Sequence, residues 1–174
     1  MASRFNVGIG GHSWSLPLAL VFCLLSSGAV AGELDFELYE LTGKLYSSQQ
    51  VRGRSDTQYL VVDFFSLDCK PCKEAIPEWI RLHNEYEKQG LSIVLVALRR
   101  ESSRAATEAV KAYFRANPVP FPVVIDKYGL VAKQFHVIDK GGAATLPKIF
   151  LLNSEGKKII VTDETGAIGK LPWK

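Results

Sequence analysis

The chain has 174 residues, of which 47% are hydrophobic and 22% are charged, and its formal net charge is +3. This length and composition suit one globular domain with a full hydrophobic core. The small positive charge, without a long basic run, excludes the electrostatic footprint that a dedicated nucleic-acid-binding protein needs.

Residues 1–31 have the features of a secretory signal peptide. Arg4 precedes an apolar run from Leu16 to Leu25, and small residues then lead to Ala29-Val-Ala31, which fits a cleavage site. The run is shorter than the roughly 20 apolar residues of a membrane-spanning helix. We expect an exported chain that begins near Gly32, in the periplasm or another extracytoplasmic space. It would be tethered to a membrane if the segment were retained.

Cleavage at this position leaves Cys69 and Cys72 and removes Cys23. A single pair in an exported protein is not a structural disulfide framework. The loop between the two cysteines is too short to restrain much of the unfolded chain. A disulfide between them is therefore better explained by redox chemistry than by stabilisation, and we expect no cofactor besides it.

Hydrophobic patterning in the first part of this chain predicts strands. Residues 34–41 alternate apolar and polar side chains, and a return strand is predicted from Leu45 after the turn Thr42-Gly-Lys44. The polar stretch 52–58 is predicted to be a loop. The apolar run Tyr59–Phe65 predicts a central strand that is buried on both faces.

The remaining elements alternate between helices and strands. A helix is predicted over residues 73–89, with Ile76, Ile80 and His83 on one side at helical spacing and Gly90 as its C-terminal stop. The other predicted elements are a strand at 91–98, a helix at 103–116, a strand at 121–126, a short helix at 128–135, and a hairpin of residues 148–152 and 157–162. This order predicts an α/β fold, a mixed sheet with helices on both faces, in one domain over residues 32–174.

The strongest functional signal is Cys69-Lys-Pro-Cys72, between a predicted strand and a predicted helix. Free backbone N–H groups and the helix dipole favour an anion at a helix N-terminus, and the thiolate is the reactive form of cysteine. We therefore predict Cys69 as the nucleophile and Cys72 as the resolving thiol. The flanking Lys70 and Lys73 would favour the thiolate, whereas Asp68 would oppose it.

Two further residues stand out by their sequence context. Asp63 interrupts the apolar run, and a buried carboxylate is costly unless it has a partner or a function. Burial would raise its pKa and let it exchange a proton with a nearby thiol; alternatively, its side chain reaches solvent. Pro147 begins the strand at Lys148, where it removes a backbone donor, and base rates alone favour a trans bond before it.

Taken together, residues 60–73 resemble the active-site stretch of the thioredoxin superfamily. Asp63 matches the buried acid of that family, Cys69-Lys-Pro-Cys72 matches its Cys-x-Pro-Cys pair, and Pro147 matches its cis-proline. The resemblance implies a thioredoxin-like fold. It also implies a cis bond before Pro147, with the ring packed against the two sulfurs.

Two other segments resemble the TlpA-like group of exported thiol–disulfide oxidoreductases, some of which serve cytochrome c maturation. These are the N-terminal hairpin at residues 35–44 and the inserted helix and strand at residues 102–126. Some members carry a glutamate near the active site, and Glu101 matches its place. The resemblance implies an enzyme that reduces disulfides of exported proteins, and such a reductase would need an upstream thiol donor, such as a membrane protein. We expect the mature chain to act as a monomer.

The sequence also departs from the family pattern. Asp68 stands where the family usually has a tryptophan, and Lys148 stands where a threonine or serine often follows the cis-proline. The C-terminal helix of the fold is shortened to residues 165–174, which would expose part of the sheet.

Alternative functions rest on single residues. Ser66 lies three residues before Cys69, where peroxiredoxin-like thiol peroxidases carry a threonine. Copper-binding modules of the same fold use Cys-x-x-x-Cys with a distant histidine, and His136 is available, although the cysteine spacing here is one residue shorter. A structural zinc site would need four ligands, and His83 and His136 lie on separate predicted elements without ligand spacing.

Overall fold

The computed structural model describes residues 34–99 and 103–170, so the predicted signal peptide and Glu101 lie outside the described residues. The strands are β1 (Glu37–Tyr39), β2 (Leu45–Ser47), β3 (Tyr59–Phe65), β4 (Leu91–Leu98), β5 (Val123–Asp126), β6 (Lys148–Asn153) and β7 (Lys158–Thr162). The α-helices are α1 (Ser48–Arg52), α2 (Lys70–Tyr86), α3 (Arg104–Ala116) and α4 (Leu130–Gln134), with 3-10 helices at Glu87–Gln89 and Thr165–Lys170. Within these ranges, no helix is long and apolar enough to cross a membrane.

The central sheet has five strands in the order β5-β4-β3-β6-β7. Strands β3, β4 and β5 are parallel, β6 is antiparallel to β3, and β7 is antiparallel to β6. The β1–β2 hairpin is separate and is joined to β5 by a bridge between Glu40 and Val124. This is the mixed sheet with an N-terminal hairpin that the sequence predicts.

Strand β3 lies at the centre of the sheet and is covered on both faces. Every residue from Leu60 to Phe65 is buried, including Asp63. Side chains alternate between two apolar clusters, one under α2 and α3 and one under α4 and the hairpin. The continuous apolar run predicted this position because a strand covered on both faces buries consecutive residues.

Helix α2 begins at Lys70, three residues before the predicted start. Cys69 is the N-cap, and Pro71 is accommodated in the first turn, where its missing N–H costs no hydrogen bond. The helix runs through Pro77 to Tyr86 and leads into the 3-10 helix Glu87–Gln89, which Gly90 ends in the left-handed conformation with φ of +92°.

The buried face of α2 is rotated from the side that the predicted spacing identifies. The fully buried residues are Cys72, Ile76, Trp79 and Leu82, whereas Ile80 and His83 are half-buried. The apolar periodicity predicts the helix. It does not fix the direction of the buried face to better than about one residue, because polar and aromatic residues lie at the edge of the apolar stripe. The shift brings Trp79 into the core.

Other differences lie at element ends. Residues 34–41 form a three-residue strand instead of a full-length one, and helix α1 over residues 48–52 was missed. Strand β5 and helix α4 are each shorter than predicted. Val161 on β7 is about half exposed, and it lies opposite Phe150, whose side chain belongs to the cluster under α4 and the hairpin. Ile168 of the C-terminal segment packs on the other face of the sheet. The shortened C-terminal segment therefore does not account for the exposure of Val161.

Candidate active site

Cys69 and Cys72 form a disulfide at the N-terminus of α2, with their Cα atoms 5.3 Å apart. The backbone N–H of Cys72 donates to Sγ of Cys69 at 3.2 Å, so the first sulfur caps the helix. Cys69 is half-buried, whereas Cys72 is buried. A partner can therefore reach the first sulfur and not the second, and a negative charge on the first sulfur would be stabilised by the helix end.

The charged residues that flank the pair are mostly solvated. Lys70 is exposed and lies 3.5 Å from Glu74, and Asp68 is exposed as well. Exposed pairs of this kind contribute little free energy. The backbone at the start of α2 is therefore the main local source of stabilisation for a Cys69 thiolate.

Asp63 lies on β3 on the sheet face that α2 covers, and it is 1% exposed. Its Oδ2 accepts a hydrogen bond of 2.8 Å from Nε1–H of Trp79, and its Oδ1 has no hydrogen-bond partner among the described residues. Burial raises the pKa of Asp63 to about 8, and the hydrogen bond from Trp79 acts in the opposite direction. A buried acid that titrates near neutral pH can serve as a proton acceptor or donor.

The peptide bond between Leu146 and Pro147 is cis, as the family resemblance implies. Lys148 pairs with Phe64 in the antiparallel register of β6 with β3. This register places Pro147 at the edge of the sheet where β3 ends and the loop to Cys69 begins. Contact between its ring and the sulfurs remains a prediction.

A groove of about 1020 Å³ runs beside the disulfide. Its walls come from the loop before α2, the end of β4, the β5–α4 turn and the segment before Pro147; they include Cys69, Arg99, Tyr128 and Leu146. Arg99 joins the end of β4 to the β5–α4 turn, because it donates to the carbonyl of Lys127 at 3.1 Å, and it also donates to the carbonyl of Ser103 at 2.6 Å. Tyr128 is 64% exposed, so the groove offers an aromatic surface next to the accessible sulfur.

The structure thus brings four of the five predicted site residues to one region of the fold: Cys69, Cys72, Asp63 and Pro147. Glu101 is the fifth and lies outside the described residues. Trp79 was missed, although it follows Cys72 by seven residues, a spacing that puts two side chains on the same face of a helix. His136 is exposed after α4 and does not line the groove, and His83 packs edge-on against Phe121.

A parallel strand that leads into a helix capped by a Cys-x-x-Cys disulfide, beside a cis-proline, defines the thioredoxin-like class of proteins. The sequence matches the AhpC/TSA family over residues 32–160, and the chain belongs to that family. The predicted resemblance and the predicted fold are confirmed.

Similar proteins are named for thiol–disulfide chemistry. Thiol-disulfide oxidoreductase ResA of Halalkalibacterium halodurans is 30% identical over 142 residues, which cover 80% of this chain and 71% of that protein. Sporulation thiol-disulfide oxidoreductase A of Bacillus subtilis is 29% identical over 100 residues, which cover 58% of this chain and 56% of that protein.

The fold is shared with solved structures at lower identity. The exposed lipoprotein thioredoxin of Streptococcus pneumoniae superposes with a TM-score of 0.63 at 19% identity, over 78% of this chain and 96% of that one.

The curated relatives described above are matched over 56% to 71% of their own length.

Proposed function

We propose that this protein is an exported thiol–disulfide oxidoreductase that reduces disulfides of exported proteins. The observation that carries the proposal is the Cys69–Cys72 disulfide at the start of α2, with the first sulfur accessible and the second buried. The names of the relatives support the same chemistry. The signal-like residues 1–31 and the exposed location stated for the pneumococcal neighbour support export.

In the reducing direction, both thiols begin reduced. The Cys69 thiolate attacks one sulfur of a partner disulfide and forms a mixed disulfide, while the other partner sulfur leaves as a thiolate. Cys72 then loses its proton and attacks Sγ of Cys69, which releases the second partner sulfur and forms the Cys69–Cys72 bond. The partner gains two electrons and the protein loses two.

The other predicted residues receive supporting roles in this proposal. Asp63 exchanges a proton with the buried Cys72, and Pro147 forms the side of the site against which a partner chain lies. Glu101 is proposed to contribute a second carboxylate near the site. The oxidised protein is then reduced by an upstream thiol donor, such as a membrane protein, and the protein acts as a monomer.

The reduction potential of the protein that starts at Gly32 tests the activity and its direction. We expect a reversible two-electron transition below about −230 mV in dithiol buffers, which is the range of reductants such as thioredoxin. A midpoint above about −180 mV would make the protein an oxidant or isomerase instead. The absence of any reversible transition would reject thiol–disulfide exchange altogether.

Matched cysteine variants test the order of attack. We expect Cys72→Ser to accumulate a mixed disulfide with a model partner protein, because Cys69 still attacks but nothing resolves the product. Cys69→Ser should form none under the same conditions, because its remaining sulfur is buried. Equal trapping by both variants would contradict the assignment.

Two assays separate the alternative functions. Rapid peroxide consumption by the reduced protein, dependent on Ser66, would favour a thiol peroxidase. Copper binding that weakens in His136→Ala would favour a copper-binding module. We expect neither, because His136 does not line the groove and Cys72 is placed to resolve a disulfide.

A further inference from the structure

Trp79 is the largest fully buried side chain of the described residues, and its one polar group, the indole N–H, donates a hydrogen bond to Asp63. A buried indole N–H needs an acceptor, and many positions in an apolar core would offer none. The acceptor here is the carboxyl group of β3, at 2.8 Å. Core packing accounts for an aromatic ring at this position, but it does not account for the choice of an indole.

The placement of Trp79 ties Asp63 to the helix that carries the disulfide. Cys72, Ile76 and Trp79 follow one another along the buried face of α2, at helical spacing. Asp63 faces the same cluster, since Val61 and Phe65, two residues to either side of it on β3, belong to the cluster that contains Cys72 and Trp79. The acid therefore lies under the helix, with the resolving thiol and the indole above it.

The other groups that face Asp63 are apolar. Its register partners on β4 and β6 are Leu95 and Ile149, and Ile168 of the C-terminal 3-10 helix packs on the same cluster. Among the described residues, the titratable groups in or against this cluster are Cys69, Cys72 and Tyr86 of the α2 region, Tyr59 of β3 and Tyr113 of α3, and His83 lies further along α2. The hydrogen bond from the Trp79 indole, at 2.8 Å, is therefore the polar contact through which the cluster acts on the carboxyl group.

The two carboxyl oxygens are therefore unequal. Oδ2 is occupied by Trp79, whereas Oδ1 is buried without a hydrogen-bond partner among the described residues. Leaving a buried acceptor unpaired is costly, unless it receives a proton or a transient partner. A fixed Oδ2 leaves Oδ1 as the atom that can bind the proton.

We propose that Trp79 is a positioning residue, which fixes the Asp63 carboxyl group through its indole N–H and so controls proton transfer from Cys72. The proposal rests on the thiol–disulfide exchange proposed above. In the resolving step, Asp63 takes the proton of the Cys72 thiol, and the new thiolate attacks Sγ of Cys69. The bond between Cys69 and the partner sulfur breaks, that sulfur leaves as a thiolate, and Asp63 later returns its proton to solvent.

Trp79→Phe tests the proposal, because it keeps an aromatic ring and removes the donor. A hydrogen bond to a carboxylate favours the ionised form, so its loss should move the midpoint of the pH–rate profile upward by roughly one pH unit. Below the midpoint, release of glutathione from its mixed disulfide with Cys69 should slow roughly tenfold. An unchanged midpoint in the folded variant would overturn the proposal.

Two further variants separate positioning from packing. In Asp63→Asn, the part of the pH–rate profile that reflects titration of Asp63 should disappear. Adding Trp79→Phe to this variant should then leave the pH–rate profile unchanged. Phe114→Leu perturbs the same cluster from α3 and keeps both groups of the Trp79–Asp63 hydrogen bond, so it should lower stability and leave the midpoint in place. A midpoint shift in Phe114→Leu as large as that in Trp79→Phe would assign the effect to packing.

A measurement on the unmutated protein covers the case in which Trp79→Phe does not fold. The chain has three tryptophans, so the indole N–H region of an NMR spectrum is simple to assign. The Trp79 signal should titrate with Asp63, and in Asp63→Asn the step should vanish. A Trp79 signal that does not titrate would reject the proposal. This titration needs no exchange activity, so failure of the proposed function and failure of this inference are distinguishable.

Discussion

At the residue scale, the carboxyl group of Asp63 dominates the electrostatics of the core. It is buried among apolar side chains, and burial raises its pKa from 3.8 to about 8. In the unfolded chain the group ionises near its ordinary value of about 3.9. Between these two values the folded protein keeps a proton that the unfolded chain has lost, so stability falls as the pH rises from about 4 to about 8.

Asp63→Asn should remove this loss of stability. Both proteins are compared in the oxidised form. The free energy of unfolding of the variant minus that of the parent should be about 4 kcal/mol more positive at pH 8 than at pH 5. Denaturant unfolding of both proteins at the two pH values measures the difference, in which all other titrations cancel. A difference that does not depend on pH would contradict the raised pKa.

At the element scale, Asp126 organises one wall of the groove. Its carboxylate accepts hydrogen bonds from the backbone N–H groups of Leu130 at 3.0 Å and Ala132 at 2.8 Å. These donors belong to the first turn of α4, which would otherwise leave them unsatisfied. The turn that carries Tyr128 lies between the acceptor and the donors, so the cap also shapes the groove.

We expect Asp126→Ala to lower the free energy of unfolding by about 1 to 2 kcal/mol, as loss of a helix cap does. Asp126→Asn is the matched control, because it keeps one acceptor oxygen and should cost less. Hydrogen exchange at the amides of Leu130 and Ala132 should speed up in the alanine variant. Protection equal to that of the parent protein would show that these bonds do not hold the turn.

At the scale of the whole molecule, Arg52 joins segments that are far apart in the sequence. Its guanidinium is buried, pairs with Asp35 before the hairpin, and donates to the carbonyl of Ser154 in the β6–β7 turn at 2.7 Å. Gly156 has φ of +82°, and a Cβ there would lie 2.9 Å from the guanidinium. The turn thus needs a glycine both for its conformation and for the space that Arg52 occupies.

Arg52→Met should lower the free energy of unfolding by about 3 to 5 kcal/mol, because it leaves Asp35 without its buried partner. The double variant Arg52→Met with Asp35→Leu should recover part of this loss, since the partly buried charge of Asp35 is then removed as well. Arg52 does not line the groove, so the reduction potential should stay unchanged in both variants. A potential that moves with stability would show that the N-terminal segment is coupled to the disulfide.

Much of the fold was predictable because its signals are local. The run Tyr59–Phe65 is a strand with the predicted bounds, and so is β4, since continuous apolar stretches bounded by polar loops have few other solutions. The bounds of β1, α1 and α4 were not predictable in the same way. These elements are short, so tertiary contacts such as the Arg52 pair and the Asp126 cap decide where they begin and end.

The sequence by itself determined the chemistry of the candidate site: two cysteines at a strand-to-helix junction and an acid within a buried run. Tertiary structure decided how those groups meet. The register of β6 with β3 sets the place of Pro147, and the rotation of α2 puts the indole of Trp79 on Asp63. Periodicity fixes which residues share a face of an element, but the partner of that face depends on packing between segments distant in the chain.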